Sequence, residues 1–347
     1  MNPYGQFPRS VDERSERVPK RVRVWTGPRT VYWASDRARP RWAFVVRVDN
    51  LGREPLHVER ISASLNAQSG RVRRVVAGEK LCRSRRLAIR QTDEFAVRVT
   101  DRGLTAEPPT SVAVQIRLSD ARSRVYTSSC RAKLEPCRTA YVRLPLCGKW
   151  FTANGRAEHH CLGGQFGFDF MHEQDVALHD GPPNRELACR EFASFGQPLL
   201  APADGVVVGC ESAQPDLVAT PGRASFAEKR PDYPGHLLGN YVIVATAGDR
   251  YLLMAHLRQA SMRVKPGETV QAGQQLADVG NSGNTSGPHC HVEILDSLPD
   301  LSLLGTQAFS SSGMPFGFRD VNRRRGGQHK SLRRTVPRQG DVLSSVG

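Results

Sequence analysis

Between about Thr30 and Leu146, apolar and polar positions alternate in short runs separated by Gly, Asp, Pro or Ser clusters. The clearest runs are Trp42-Ala43-Phe44-Val45-Val46-Arg47-Val48, Phe95-Ala96-Val97-Arg98-Val99, Val112-Ala113-Val114-Gln115-Ile116-Arg117-Leu118 and Tyr141-Val142-Arg143-Leu144. A period of two sends successive side chains to opposite faces, so each run reads as a strand with one buried face. Several such strands with turn signals between them predict an all-β sandwich, immunoglobulin-like in architecture. No helix-period segment competes with them, and no ligand-like cluster of His, Asp or Glu gathers in this region.

From Leu199 to Ile294 the chain is again strand-rich, but its turns become glycine-rich and histidines enter. Leu199 to Val208 reads as a strand, a turn at Ala203-Asp204-Gly205, and a second strand. Tyr241 to Val244 and Tyr251 to Leu257 predict a hairpin across Ala247-Gly248-Asp249. The stretch Glu211 to Leu238 holds four prolines and little periodicity, so it reads as a long surface loop of the kind that often carries function. After Asn322 the chain is Arg-rich and apolar-poor and reads as a mobile tail. The expected organisation is a flexible basic N-terminus over 1–25, an accessory β-sandwich over 26–146, a second β domain over 147–320 and a basic tail over 321–347.

Length and charge sharpen this division. The chain has 347 residues, enough for two domains with real cores, and a formal net charge of +15. That charge is uneven: residues 1–150 carry +17, residues 151–320 carry −8 and residues 321–347 carry +6. A basic excess suits an anionic partner only if it lies on one working surface; otherwise it merely solvates exposed faces. The basic half lacks the aromatic-plus-basic strand motifs of nucleic-acid binders, so no specific nucleic acid is expected. No apolar run approaches the length of a membrane span, and residues 1–24 show no apolar signal core, so localisation stays open. Eight cysteines, with no CxxC pair, leave disulfides and thiols both open; Cys130 and Cys137, bracketing a charged turn, are placed to bridge a hairpin.

The strongest chemical signal is Gly280-Asn281-Ser282-Gly283-Asn284-Thr285-Ser286-Gly287-Pro288-His289-Cys290-His291-Val292-Glu293-Ile294. A glycine-rich loop runs straight into a strand that starts His-x-His, so His289 and His291 project side by side from one face. Two such imidazoles suit two metal ligands, or one ligand beside a proton-transfer group. An isolated His-x-His is more often a satisfied surface pair, but the glycine-rich loop argues against that here.

This stretch closely resembles the signature of the lysostaphin-type (LytM-like) zinc endopeptidases, which cut peptide cross-bridges of bacterial cell walls. The resemblance extends over Ala201 to Val207, Gly239-Asn240-Tyr241-Val242-Ile243, Met254-Ala255-His256-Leu257 and Val264 to Gln274, in the family's order. It covers roughly residues 150 to 320 and implies the family's β domain. It also implies a catalytic Zn2+ with an open position for water, which suits a metal that must acidify water and polarise a carbonyl. Carried over, Asp169 and His291 are zinc ligands, His289 takes the water's proton and His256 stabilises the oxyanion. Asn240, Tyr241 and Asn284 are the expected substrate contacts.

One position departs from the pattern. Gln165 stands where the family has its first zinc-binding His, and an amide oxygen is a poor substitute for imidazole. Three readings follow: His160 or His159 folds back as third ligand, with His172 a weaker candidate beyond the turn; the site keeps two ligands; or the domain has lost zinc and binds wall peptides or regulates another hydrolase. A lipoyl- or biotinyl-carrier barrel shares the hairpin pattern, but the turn at Ala203-Asp204-Gly205 has no lysine to carry a cofactor. The expected partners are peptidoglycan or another peptide, with anionic wall polymer or a membrane surface met by the basic flanks.

Overall fold

The computed structural model describes residues 22–27, 30–34, 41–67, 69, 72–76, 86–90, 92–100, 108–155, 166–180, 185–221, 237–299 and 311–346. It is almost entirely β. The N-terminal body holds β1 (Val22–Gly27), β2 (Thr30–Ala34), β3 (Arg41–Asn50), β4 (Leu56–Ala67), β5 (Val72–Val76), β6 (Arg86–Leu87), β7 (Thr92–Thr100), β8 (Pro109–Asp120) and β9 (Val125–Cys137). One sheet runs β1-β3-β7 and the other β2-β9-β8-β4-β5, with β6 on β4. Their inward rows, among them Val31, Val46, Val48, Val58, Val114, Ile116 and Leu134, form one core. The apolar alternation of β8 and β9 is what buries that face and leaves Arg, Ser and Gln outward.

The second body is built on one large sheet of eleven strands. Its strands are β10 (Ala140–Val142), β11 (Trp150–Gly155), β12 (Phe168–His172), β14 (Gly205–Glu211), β15 (Asn240–Thr246), β16 (Arg250–Leu257), β17 (Thr269–Val270), β19 (Cys290–Leu295), β20 (Phe316–Arg325), β21 (Gln328–Thr335) and β22 (Val342–Ser345). They lie in the order β10-β20-β22-β11-β12-β19-β16-β15-β14-β17, with β21 also paired to β20. A two-stranded sheet, β13 (Pro198–Leu200) with β18 (Gln275–Asp278), packs Leu199, Leu276 and Ala277 onto the large sheet's inner face. The single helical turn α1 (Val176–His179) is the only α-helix among the described residues.

Several sequence expectations meet this fold. The hairpin across Ala247-Gly248-Asp249 is β15 with β16. Leu199 to Leu200 and Gly205 to Val208 are both strands, but β13 pairs with β18 and β14 with β15 and β17, so the turn between them changes sheets rather than closing a hairpin. The supposed mobile tail is instead β21 and β22 with the end of β20. Cys130 and Cys137 are not hairpin partners: both are thiols on the single strand β9, seven residues and so about 23 Å apart, far beyond disulfide reach. The expected flexible N-terminus lies outside the described residues up to position 21, and β1 takes up Val22 to Trp25.

The core of the second body also crosses both expected boundaries. Ala140, Leu144 and Leu146 enter it from one side, Val321 and Leu343 from the other. The two bodies touch where the Ser312 hydroxyl donates to the Thr30 carbonyl (2.6 Å) and Tyr32 bonds Asp296.

Candidate functional site

Strand register assembles the site. Asp169 on β12 stands opposite His291 on β19, His291 opposite Ala255 on β16, Ala255 opposite Tyr241 on β15, and Tyr241 opposite Glu211 on β14. Directly opposed residues share a face, so these five form one row across the sheet. The intervening positions Phe168, Phe170, Cys290, Val292 and Met254 point the other way, into the main core. The row therefore rests on a sheet anchored from behind by an apolar layer that includes the stacked and edge-on rings of Phe168, Phe170, Phe316 and Phe318.

The Asp169 Oδ1 and His291 Nδ1 atoms are 2.9 Å apart, and both residues are 5% exposed. His289 Nε2 lies 3.8 Å from the same carboxylate oxygen. The other oxygen, Oδ2, accepts from Asn154 Nδ2 at 3.0 Å. Burial works against a charged His291, yet the carboxylates of Asp169 and Glu293 outweigh it and raise its pKa to about 10.

His256 reaches this face by a backbone device. Asn240 pairs with Leu257 and Tyr241 with Ala255, which leaves His256 as the extra residue of a β-bulge, with φ of 63°. Strict alternation would send its ring to the face opposite Ala255. The bulge turns it back, 4.6 Å centroid to centroid from His289 and 6.1 Å from His291. Its Nδ1 donates to the Ser282 carbonyl at 2.9 Å, because a carbonyl can only accept, and so Nε2 carries the lone pair. Burial first, then the neighbouring His289 and His291, push its pKa well down and keep the ring neutral. His289 is held in the same way, with Nδ1 2.9 Å from the Gly287 carbonyl and 3.1 Å from Thr285 Oγ1.

The glycine-rich loop that supplies these carbonyls is packed down by the loop after β14. Asp216 accepts from the backbone of Asn281 (2.7 Å) and Gln259 (3.0 Å), and Asn281 Nδ2 donates to the Leu217 carbonyl (2.7 Å). The sequence-predicted loop over 211–238 thus acts as a buttress for its described part, up to position 221.

The structure brings together Asp169, His256, His289 and His291. Tyr241 lies on the same face, two strands from His291. Asn240 is fully buried, and its amide bonds the backbone of Gln214 and the Leu257 carbonyl, so it braces the site from beneath. Asn284 is half-buried on the loop, its N–H donating to the Leu237 carbonyl. His159, His160 and Gln165 lie outside the described residues. His172 faces away from Asp169, with its ring edge-on to Trp150. Sequence reasoning missed Asn154, which sits at a bulge in β11 and has no motif around it, and Ser282, whose part is played by its backbone.

Among the described residues, no set of three or more His, Cys, Asp or Glu side chains closes around one point as a metal cage. Two donors of the right chemistry do converge: a carboxylate oxygen and an imidazole nitrogen, each braced by a further polar partner. That pair fits a zinc-type ion, which takes N and O donors.

Residues 190–300 match peptidase family M23. That span contains His256, His289 and His291 but not Asp169. A Haemophilus influenzae protein described as an uncharacterized metalloprotease is 30% identical over 100 residues, which are 29% of this chain and 16% of the relative. The chain therefore spans only a small part of that relative's length. Among solved structures, the catalytic domain of the antimicrobial peptidase lysostaphin from Staphylococcus simulans is 18% identical, with 44% of this chain and 83% of that chain covered and a TM-score of 0.26. A zinc-containing peptidase from Vibrio cholerae is 14% identical, with 80% and 79% covered and a TM-score of 0.25.

Proposed function

We propose, from the premise that residues 190–300 form a LytM-type domain of peptidase family M23, that this chain is a zinc metalloendopeptidase acting on peptide cross-links of peptidoglycan. The observation that carries the reading is the convergence of Asp169 Oδ1 and His291 Nδ1 at 2.9 Å beside two histidines. Zinc, when bound, would acidify a water molecule and polarise the scissile carbonyl. Asp169 and His291 would hold it, with His160 the proposed third ligand in the place of Gln165.

The chain's own groups then divide the proton work. His289 is the base for the attacking water: its Nδ1–H is tied to Gly287, its Nε2 faces the site, and Asp169 stabilises the imidazolium it becomes. His256 starts neutral with a bare Nε2, so it bonds a developing oxyanion only after taking up there the proton that the neighbouring His289 has drawn from the water. Asn284, half-buried on the glycine-rich loop, and Tyr241, on the same sheet face as His291, are the proposed contacts of the peptide. The cationic hairpin β20–β21 supports a docking role on anionic wall polymer.

A second reading is favoured by Gln165 and by the two-donor set among the described residues: a groove that binds wall peptides without cutting them. Metal content and hydrolysis separate the two. The purified chain should take up close to one zinc and cleave soluble cross-bridge peptides. Asp169→Ala and His291→Ala should lose both properties. His289→Ala should keep zinc while kcat falls by about 10²–10⁴. Zinc below about 0.1 per chain after supplementation, with no cleavage, would leave the non-catalytic groove standing.

A further inference from the structure

His291 and Glu293 alternate along β19, so both point to the face that carries the site, and His289 stands just before the strand with its Nε2 3.8 Å from Asp169. Glu293 is 4% exposed and stands opposite Leu253, within the apolar cluster of Ile243, Leu253, Ala255 and Leu295. A carboxylate in such surroundings is costly unless a cation or donor answers it. Its Oε2 atom makes no hydrogen bond, and its Oε1 lies 3.8 Å from His291 Nε2. Asp169 lies at the other ring nitrogen, 2.9 Å from Nδ1. The imidazole of His291 is thus bracketed by two carboxylates, one at each nitrogen.

A metal-ligating imidazole gives its lone pair from one nitrogen and commonly donates the proton on the other to a carboxylate, which fixes both tautomer and ring angle. We propose that Glu293 is a positioning residue: it keeps the second proton of His291 on Nε2, so that Nδ1, which donates to Asp169 while no metal is bound, gives its lone pair to the metal once that proton is displaced. This rests on the zinc reading above. Direct ligation by Glu293 is disfavoured by its place, since its oxygens lie on the Nε2 side of the ring and Asp169 on the Nδ1 side.

The test uses the full chain, stripped of metal and titrated with Zn2+ against a chromophoric chelator, with histidine side-chain ¹H–¹⁵N spectra recorded in parallel. Glu293→Met fills the same space without an acceptor and should weaken zinc binding about 10–100-fold. Glu293→Gln retains an acceptor oxygen and should stay within about fivefold of the parent, because it can still receive the Nε2 proton. With zinc bound, the spectra should place the His291 proton on Nε2 in the parent and Gln forms and lose that preference in the Met form. Zinc affinity unchanged in Glu293→Met would overturn the proposal, and Gln as weak as Met would point to direct ligation instead. If the parent takes up no zinc, the metal reading fails, and Glu293 is judged on the zinc-free protein: an unaltered Nε2–H signal in Glu293→Met rejects it.

Discussion

His256 shows how little of a residue's role is set by its side chain alone. Its left-handed backbone, its bulge and its hydrogen bond to Ser282 place a neutral imidazole where a flat strand would have placed none. Left-handed backbone in a non-glycine residue costs energy and persists only where the surroundings enforce it. The enforcement here comes from interlocked main chains. Gly239 has φ of 61°, and a Cβ added there would come within 2.3 Å of the Ser282 carbonyl group; Gly283, on the loop, meets the Gly239 nitrogen just as closely. Gly239→Ala should therefore force the loop away, costing about 2–4 kcal/mol of stability, and should lower peptide hydrolysis by moving the carbonyl that holds His256. Thermal melting and kcat measured together check this; an unchanged kcat would separate Ser282 from the chemistry. At this scale His289 and His291 were legible, because period two needs no tertiary knowledge. The facing of His256 and the brace from Asn154 were not, because each depends on a bulge that no local pattern announces.

Strands with alternating apolar rows were legible as elements, and the Arg-rich hairpin was not. β20 and β21 are held less by burial than by pairing and by ion pairs, so an apolar count misreads them. Phe316, Phe318 and Val321 supply the buried anchor, while Arg324 pairs with Glu173 and Arg325 with Asp341. Across the hairpin, Arg319 faces Arg334 and Arg323 faces Lys330. Like charges directly opposed are unfavourable within a sheet, so a surface anion would relieve them, and cations along an edge strand also discourage pairing with another sheet. Lys330→Glu with Arg333→Glu, both at exposed positions, should reduce low-salt binding to insoluble wall or anionic vesicles by about tenfold or more. Cleavage of a small soluble peptide should be untouched. Equal binding before and after the change would mean that the charge serves only to protect the edge.

At the scale of the molecule, charge and chemistry separate. The residue span that carries the histidines has net charge −8, while the excess of cations lies in the flanks. The flanks are nevertheless structural parts of the second body, which a division by composition could not reveal. β10 pairs in parallel with β20, and β22 lies between β20 and β11, with Leu343 opposite Trp150. Asp341 ties this corner: it is 1% exposed, both its oxygens are bonded by Arg325 at 2.5 Å, and its carbonyl accepts from Thr152. Asp341→Ala should cost about 2–4 kcal/mol, less than loss from a wholly buried pair because Arg325 reaches solvent. Calorimetry should show that loss in the transition of the second body, and a shift confined to the N-terminal body would contradict it. The position of β22 also bears on timing during synthesis. Trp150 and the strand beside Asp169 are made early, yet their sheet neighbour β22 is made only after every strand that carries the site. A growing chain therefore carries its histidines for some fifty residues before the sheet beneath Asp169 can close, so the candidate site stays unbraced while those residues are made.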